Sequence, residues 1–164
     1  MKISSSLECT NIVIVWDLNR KIDIIPHHSN KKKLNCQLIR EGKKCLLVFS
    51  SGKVVSTGLK SVQSSKEFIQ RQFPDDKITL FKVSNVVAKA KLNYQLDHKA
   101  LTQSKLKISY EPELLSAYHW WDNKKCLTYY TTGSIIITGG KSLPDCDATF
   151  KRFKLHTINC YKIK

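Results

Sequence analysis

One stretch of sequence occurs twice in this chain. Residues 43–61 read KKCLLVFSSGKVVSTGLKS, residues 124–142 read KKCLTYYTTGSIIITGGKS, and almost half of the positions are identical. A shorter echo lies upstream, where TNIV at 10–13 matches SNVV at 84–87. The spacing between the copies is too long for a solenoid repeat. It predicts two copies of one small α/β unit, residues 1–78 and 79–164.

Each copy of the repeat is predicted to form a strand, a β-hairpin and a helix. In the hairpin, β-branched and aromatic residues flank a turn that contains glycine, and a serine cap begins the helix after it. The helix from SLPDCDATFKRFKL in copy two is expected to be shorter and less regular than the helix from SVQSSKEFIQRQF in copy one. No flexible linker separates the copies, so we expect them to share one sheet.

The two faces of the predicted hairpin carry different residues. Because strand side chains alternate, Leu46, Val48 and Val54 share the face that should pack under helices. A large apolar patch on the other face would mark a binding surface, unless a sandwich or a dimer buries it. That other face carries Leu47, Phe49, Lys53, Val55 and Thr57 in copy one and Thr128, Tyr130, Ser134, Ile136 and Thr138 in copy two.

The chain has a formal net charge of +15, shared almost evenly between the two copies. Such a basic body favours a polyanionic partner, which could be DNA, RNA or an acidic membrane face; a basic protein without such a partner is the alternative. No run of eighteen apolar residues predicts a membrane span, and the first residues lack the features of a signal peptide. The six cysteines are not spaced for a zinc site, so we expect buried, reduced thiols and no cofactor.

Four features, present together and in order, resemble the TATA-box-binding protein family. They are LVFSSGKVVSTGLKS, the string ITGGKS, the paired TNIV and SNVV, and SYEPEL at 109–114. The resemblance covers about residues 9–142. It implies an α+β fold: a pseudo-two-fold saddle of two tandem repeats, in which one curved antiparallel β-sheet carries helices on its convex face. It also implies a general transcription initiation factor whose concave face binds and bends double-stranded A·T-rich promoter DNA.

The chemistry of the minor groove explains which residues the resemblance places on DNA. A·T pairs offer only acceptors there, whereas a G·C pair adds a protruding amino group. Asparagine and threonine can donate to the acceptors, apolar side chains can press against the bases, and lysine can meet phosphates. The implied DNA-binding residues are Asn11, Val13, Leu47, Phe49, Lys53, Val55, Thr57, Asn85, Val87, Leu115, Tyr130, Ile136 and Thr138. Alternatively, the asparagine and threonine residues are ordinary polar residues of strand ends and hairpins that do not contact DNA.

The acidic loop Tyr110, Glu111, Pro112, Glu113 and Leu114 is an exception on a basic chain. In the family this loop receives transcription factor IIB, so the resemblance implies a factor IIB-like partner and, through it, the RNA polymerase machinery; a solvated turn is the alternative. The resemblance also implies a nuclear location, or a cytoplasmic virus factory if the chain is viral. Departures from the family pattern are expected of a divergent lineage, such as a large DNA virus or a reduced parasite.

The chain departs from the family at the aromatic wedges. Phe49 matches one of these phenylalanines, but Tyr130 and Leu115 stand where two others are expected. At the fourth wedge position, which lies in copy one, the only candidates are Leu34 and Lys32. DNA recognition could therefore be looser, and a protein scaffold with weak or non-specific DNA binding is the alternative function. No catalytic constellation stands out, so we do not expect an enzyme. The pair Trp120-Trp121 is expected to pack in the core, with contact to a partner as the alternative.

Overall fold

The computed structural model describes residues 6–25, 27–29 and 32–160, with the side chains of 27–29 and 32–34 outside that description. The predictions for Leu34 and Lys32 therefore lie outside the described side chains. The chain divides into two compact units. The first unit is Thr10–Asn85, and the second unit comprises the described residues on either side of it.

The first unit contains a four-stranded antiparallel sheet and one long helix. In chain order its elements are β1 (Glu8–Asp17), of which the residues from Thr10 belong to this unit, β2 (His27–Ser29), β3 (Lys32–Leu34), β4 (Gln37–Glu41), β5 (Lys44–Val48), β6 (Lys53–Leu59) and α1 (Val62–Gln72). The strand order in the sheet is β4-β5-β6-β1, while β2 and β3 form a separate hairpin. Helix α1 begins at Ser61, whose hydroxyl accepts a hydrogen bond from the Ser64 amide, as the sequence predicted.

Helix α1 packs on one face of this sheet. Leu46, Val48 and Val54 are buried there, which confirms the face predicted from strand alternation. Phe68 and Ile69 of α1 are buried as well. The core of the first unit therefore lies between α1 and this face of the sheet. The opposite face of the sheet is not part of that core.

The second unit contains a five-stranded antiparallel sheet with the order β7-β11-β10-β9-β8. Its elements are β7 (Thr79–Lys91), of which the residues from Val86 belong to this unit, α2 (His98–Thr102), β8 (Ile108–Tyr110), β9 (Ala117–Asp122), β10 (Lys125–Tyr130), β11 (Ser134–Gly140) and α3 (Leu143–His156). The stretch LDHKALTQSKL contains the short helix α2. Each unit thus combines antiparallel strands with helices, which is an α+β arrangement.

Helix α3 corrects one expectation from the sequence. It has 14 residues against the 11 of α1, so the prediction of a shorter second helix was wrong. Ser142 caps α3, and Pro144 lies in the first turn, where a proline is compatible with a helix because no intrahelical donor is lost. Phe150 and Phe153 of α3 are buried against the sheet of the second unit.

The two adjacent tryptophans point to opposite faces of β9. Trp120 is buried and lies 5.7 Å, between ring centroids, from Phe153, which confirms its predicted core position. Trp121 is 62% exposed, so the prediction that it packs in the core was wrong. Alternation along a strand sends neighbouring side chains to opposite faces, and only one of them can lie under α3.

Among the described residues, no helix is both long enough and apolar enough to cross a membrane.

Candidate nucleic-acid interface

The face of the first unit opposite α1, here called the first open face, carries an aliphatic row across four strands. Leu38 pairs with Leu47, Leu47 with Val55, and Val55 with Val15 in register. All four residues are half-buried, whereas their neighbours in sequence, such as Leu46 and Val54, lie under the helix. Two of the predicted DNA-binding residues, Leu47 and Val55, are therefore neighbours in this aliphatic row.

Asn11 lies on the same face, and a backbone contact fixes the orientation of its amide. The Gly58 N–H donates a 2.8 Å hydrogen bond to Asn11 Oδ1, so this side-chain oxygen faces the strand. The amide nitrogen, Nδ2, is then 3.4 Å from the hydroxyl of Thr57. Asn11 Nδ2 and the Thr57 hydroxyl, each within 3.4 Å of a hydrogen-bonding atom of the other side chain, lie together as two groups of the donor type that adenine N3 and thymine O2 require.

Gly58 can make this contact because of its backbone conformation. Its φ is +81°, a left-handed region that favours glycine, and a Cβ built there would lie 1.8 Å from the carbonyl oxygen of Lys43. The pairing of β1 with β6 shifts register nearby, between Ile12 and Ile14. Gly139 has the same conformation in the second unit, with a φ of +86°. The duplicated TG dipeptide of the sequence therefore marks a duplicated bulge.

Lys53 makes intramolecular contacts at the end of the first open face. Its Nζ is 2.5 Å from Asp17 Oδ2 and 3.8 Å from the ring centroid of Phe81. The hydrogen bond from Lys53, followed by one from the Asn19 backbone N–H, holds the pKa of Asp17 below its ordinary value. The role of Lys53 as a phosphate contact stays a prediction, and a phosphate would have to compete with Asp17.

Phe49 directly follows β5 and is half-buried at the tight turn into β6. Its N–H donates to the carbonyl of Lys53 at 2.9 Å, and the Gly52 N–H donates back to the Phe49 carbonyl at 2.9 Å. This turn anchors the backbone of Phe49. In the second unit Tyr130 ends β10, half-buried and in register with Ala117.

The face of the second unit opposite α3, here called the second open face, has a different character. Its matching row runs from His119 to Thr128, then to Ile136 and Lys89, all paired in register. His119 Nδ1 is 3.1 Å from the Thr128 hydroxyl. The row that is wholly aliphatic in the first unit is thus largely polar in the second. A neighbouring row on the same face carries Trp121, Cys126 and the predicted contact residue Thr138.

The structure also gives the position and the exposure of the remaining predicted DNA-binding residues. Val13 in β1 is half-buried and points to the first open face, while Val87 in β7 is half-buried in the second unit. Asn85, also in β7 and half-buried, closes the first unit in sequence. Leu115 is 43% exposed in the loop that precedes β9.

The predicted partner loop forms a turn with an exposed acidic edge. The amides of Leu114 and Leu115 both lie 3.0 Å from the carbonyl oxygen of Glu111. Glu111, Glu113 and Leu114 are exposed, as is Pro112. They offer a partner two carboxylates on a structured turn.

Tyr110 belongs instead to a packed aromatic cluster. Its ring stacks on that of Tyr118 at 4.3 Å between centroids and lies 5.1 Å from the ring of His98. Burial, with contributions from Tyr110, raises the pKa of Tyr118 to about 12. Tyr110 therefore anchors the base of the partner loop, and the exposed contact surface begins at Glu111.

Sequence reasoning missed two residues of the second open face, His119 and Lys89. The repeat itself held the signal. The offset that relates Leu47 to Thr128 also relates Leu38 to His119. In the same way, the offset between TNIV and SNVV takes Val15 to Lys89. Applying these offsets beyond the repeated strings would have shown that His119 corresponds to Leu38 and that Lys89 corresponds to Val15.

Comparison with known proteins gives a family for this arrangement. A family model described as "Transcription factor TFIID (or TATA-binding protein, TBP)" matches residues 6–75 and 80–156. The chain belongs to the TATA-binding protein family. The match falls in two segments, as expected for a chain that contains the repeat twice.

Three relatives show how far the similarity extends within the TATA-binding protein family. The chain is 33% identical over 156 residues to the TATA-box-binding protein-like 1 of Entamoeba histolytica, covering 88% of this chain and 70% of the relative. It is 32% identical over 126 residues to the TATA-box-binding protein of Methanothermobacter thermautotrophicus, covering 71% of this chain and 70% of the relative. The match to the Caenorhabditis elegans TATA-box-binding protein is 31% identical over 160 residues, covering 85% of this chain and 47% of that longer relative.

One solved structure establishes the fold. The chain superposes on the Methanococcus jannaschii TBP with a TM-score of 0.81, covering 94% of this chain and 99% of that one, at 21% sequence identity. This likeness confirms the TATA-binding protein fold class expected from the sequence.

Proposed function

We propose that this chain is a TATA-box-binding general transcription initiation factor that binds A·T-rich promoter DNA in the minor groove through its two open faces. The observation that carries the proposal is the first open face, where an aliphatic row adjoins the oriented donors of Asn11 and Thr57. A minor groove lined by A·T pairs is smooth and presents only acceptors, so this surface complements it. A guanine amino group would meet aliphatic carbon and lose its hydrogen-bond partner.

The net charge supplies the sequence-independent part of this binding. A chain of formal charge +15 releases counterions when its lysines and arginines meet phosphates, which strengthens association and makes it sensitive to salt. Phosphate contacts position a protein on the duplex without reading its sequence. Preference for A·T pairs must therefore come from the open faces.

Bending is part of the proposal and rests on the family. TATA-binding proteins are themselves a standard example of minor-groove binders that insert apolar wedges and kink the duplex. Phe49, Tyr130 and Leu115 occupy the wedge positions implied by the resemblance. Tyr130 keeps an aromatic ring, whereas Leu115 is an exposed aliphatic side chain on a turn. We expect a bend that is weaker at the Leu115 end.

Binding at equilibrium tests the proposal. Fluorescence anisotropy would compare a TATA-containing duplex with a G·C duplex of equal length across a salt series. A preference above about tenfold that persists as salt rises is expected, because base readout does not depend on counterions. Equal affinities with a steep salt dependence would contradict it.

A matched pair of variants locates the binding surface. Val55→Glu places a carboxylate on the first open face and should abolish binding to the TATA duplex. Val62→Glu makes the same change at the exposed start of α1, where a carboxylate is compatible with the helix dipole, and should leave binding intact. Equal losses for both variants would move the interface away from the open face.

The acidic turn supports a second element of the proposal, recruitment of a factor IIB-like partner. Glu111 and Glu113 are exposed and suit a basic partner surface. Glu111→Lys and Glu113→Lys should each reduce binding of the core domain of an archaeal factor IIB to the protein–DNA complex. Glu67→Lys, an exposed change on α1, serves as the control. Such a factor would act with the RNA polymerase machinery in the nucleus, or in a cytoplasmic virus factory if the chain is viral.

The alternative function, a protein scaffold with weak or non-specific DNA binding, has one observation in its favour. Lys53 is engaged by Asp17, which removes a cation from the predicted phosphate contacts. If the salt series shows no base preference while factor IIB binding survives, the scaffold function replaces the proposal.

A further inference from the structure

The two open faces differ at one coupled cross-strand pair. In the first unit Leu38 lies opposite Leu47 in register. The equivalent positions of the second repeat are His119 and Thr128, which also lie opposite each other. Both members of the aliphatic pair have thus become polar, and the new side chains contact each other at 3.1 Å between Nδ1 and Oγ1.

The location of this pair makes it relevant to DNA. Thr128 lies in register with Ile136, a predicted contact residue, just as Leu47 lies in register with Val55. His119 and Thr128 are half-buried, while Tyr118 and Leu127 beside them are buried on the α3 side. The polar pair therefore lies within the row of the second open face.

A hydroxyl in this position changes what the face can accept. The Thr128 hydroxyl also lies 4.0 Å from Cys126 Sγ. When the hydroxyl donates its hydrogen to His119 Nδ1 or to Cys126 Sγ, its oxygen keeps at least one lone pair. That lone pair can accept a hydrogen from the amino group that guanine presents in the minor groove. The leucine pair of the first unit has no acceptor, so the same amino group would be desolvated there without compensation.

We propose that the second open face accepts a G·C pair in the half-site that it contacts, whereas the first open face is restricted to A·T pairs. His119 and Thr128 are the residues that determine this difference. The inference rests on the proposed function, since it concerns the specificity of the same DNA-binding faces. The target would then be an asymmetric element, A·T-rich in one half and tolerant of G·C in the other.

Lys89 does not account for the same tolerance. It replaces Val15 in the row and lies 3.4 Å, between Nζ and the carboxylate, from Glu8. An ammonium group only donates hydrogen bonds, so it cannot accept the guanine amino hydrogen. Within this row, the acceptor that the first open face lacks comes from the His119–Thr128 pair.

Three duplexes of equal length test the proposal by fluorescence anisotropy. The first has an A·T-only element, the second has one G·C pair in one half, and the third has one G·C pair in each half. Because the protein can bind a duplex in either orientation, the one-sided duplex should be bound about as tightly as the A·T duplex. The two-sided duplex should be bound roughly tenfold more weakly, the usual cost of one mismatched pair.

Paired variants assign the effect to the named residues. His119→Leu/Thr128→Leu should lower the affinity for the one-sided duplex to about the affinity of the parent protein for the two-sided duplex, while binding to the A·T duplex persists. The exchange in the other direction, Leu38→His/Leu47→Thr, should raise the affinity for the two-sided duplex. Each variant installs a pair that the other unit already carries at the same register, and thermal unfolding checks that each is folded.

The outcomes separate this inference from the proposed function. If the one-sided duplex is bound about tenfold more weakly than the A·T duplex, and the two-sided duplex more weakly again, the asymmetry is overturned and the proposed function stands. Loss of the A·T preference altogether would overturn both. An unchanged one-sided affinity in His119→Leu/Thr128→Leu would mean that the pair has a structural role only.

Discussion

The indole N–H of Trp16 in β1 donates a 2.8 Å hydrogen bond to the hydroxyl of Ser65 in α1, and both residues are buried. The Ser65 hydroxyl is also 2.6 Å from that of Ser56 in β6. One serine on the helix thus holds two adjacent strands of the first unit. Because α1 is fixed to this face of the sheet, the aliphatic row is left on the other.

Ser65→Ala should destabilise the protein. The substitution leaves the buried Trp16 N–H without its acceptor, which costs about 1–3 kcal/mol. Chemical denaturation monitored by circular dichroism gives the free energy of unfolding. Ser51→Ala, at an exposed turn, should stay within about 0.5 kcal/mol of the parent protein. In a Trp16→Phe background the cost of Ser65→Ala should shrink, and an undiminished cost would contradict the role given to this hydrogen bond.

Gly58→Ala should be more destabilising than Gly42→Ala. Both glycines have positive φ values, +81° and +59°, so either alanine would be strained by about 1–2 kcal/mol. At Gly58 the added Cβ would also lie 1.8 Å from the Lys43 carbonyl oxygen, whereas nothing lies within 4 Å at Gly42. Unfolding free energies measured side by side isolate this collision. Equal costs would mean that the bulge between β1 and β6 can relax around a side chain.

Asp145 should contribute to stability in a pH-dependent way. A hydrogen bond from Lys125, 2.5 Å from Nζ to Oδ1, and one from the Lys141 backbone N–H hold its pKa below the ordinary 3.8. The unfolded chain therefore takes up the proton first as pH falls. The contribution is complete above the unfolded pKa and is lost as pH drops through the folded one.

Asp145→Asn tests this expectation in unfolding measurements at pH 7 and at pH 3. Its cost should be larger at pH 7 and should diminish in acid. Lys125→Met removes the strongest partner and should reduce the same pH dependence. A cost that is equal at both pH values would show that Asp145 acts only as a polar group near the cap of α3.

Much of the fold follows from local patterns, and most of the site's detail does not. Alternation along β5 and β6 predicted that Leu46 and Val54 would be buried, because one strand suffices to define a face. The same rule, applied to the adjacent pair in β9, would have placed Trp121 on the face opposite Trp120. Interpreting the two as one apolar cluster caused the error.

The contacts that sequence reasoning missed depend on register between strands. His119 meets Thr128 because β9 pairs with β10, and Lys53 meets Asp17 because β6 pairs with β1. Neither pairing can be read from one strand alone, since a shift of one residue reverses the faces. The repeat offset, however, predicts the same register in both units, so the His119–Thr128 pair could be inferred from the equivalent Leu38 and Leu47.

Asn11→Asp should weaken binding to an A·T duplex. Aspartate can still accept the Gly58 N–H, but it loses the donor group and carries a charge that DNA repels. The loss of one good base contact is worth about 1–3 kcal/mol of binding free energy. Asn123→Asp makes the same charge change in the turn between β9 and β10, where Asn123 is exposed with a φ of +57°. Equal losses of DNA affinity in the two variants would show that Asn11→Asp acts only through the added negative charge.

Asp17→Asn should strengthen DNA binding and steepen its salt dependence. Lys53 Nζ now lies 2.5 Å from the Asp17 carboxylate, and removing that charge releases the ammonium for a phosphate. One added phosphate contact should make the slope of log affinity against log salt steeper by about 0.9. Asp23→Asn, an exposed change of equal charge, controls for the general rise in net charge. Lys53→Met should then cost more affinity in the Asp17→Asn background than in the parent protein. If Asp17→Asn and Asp23→Asn give the same slope, Lys53 does not reach the DNA, and its partner in the complex remains Asp17.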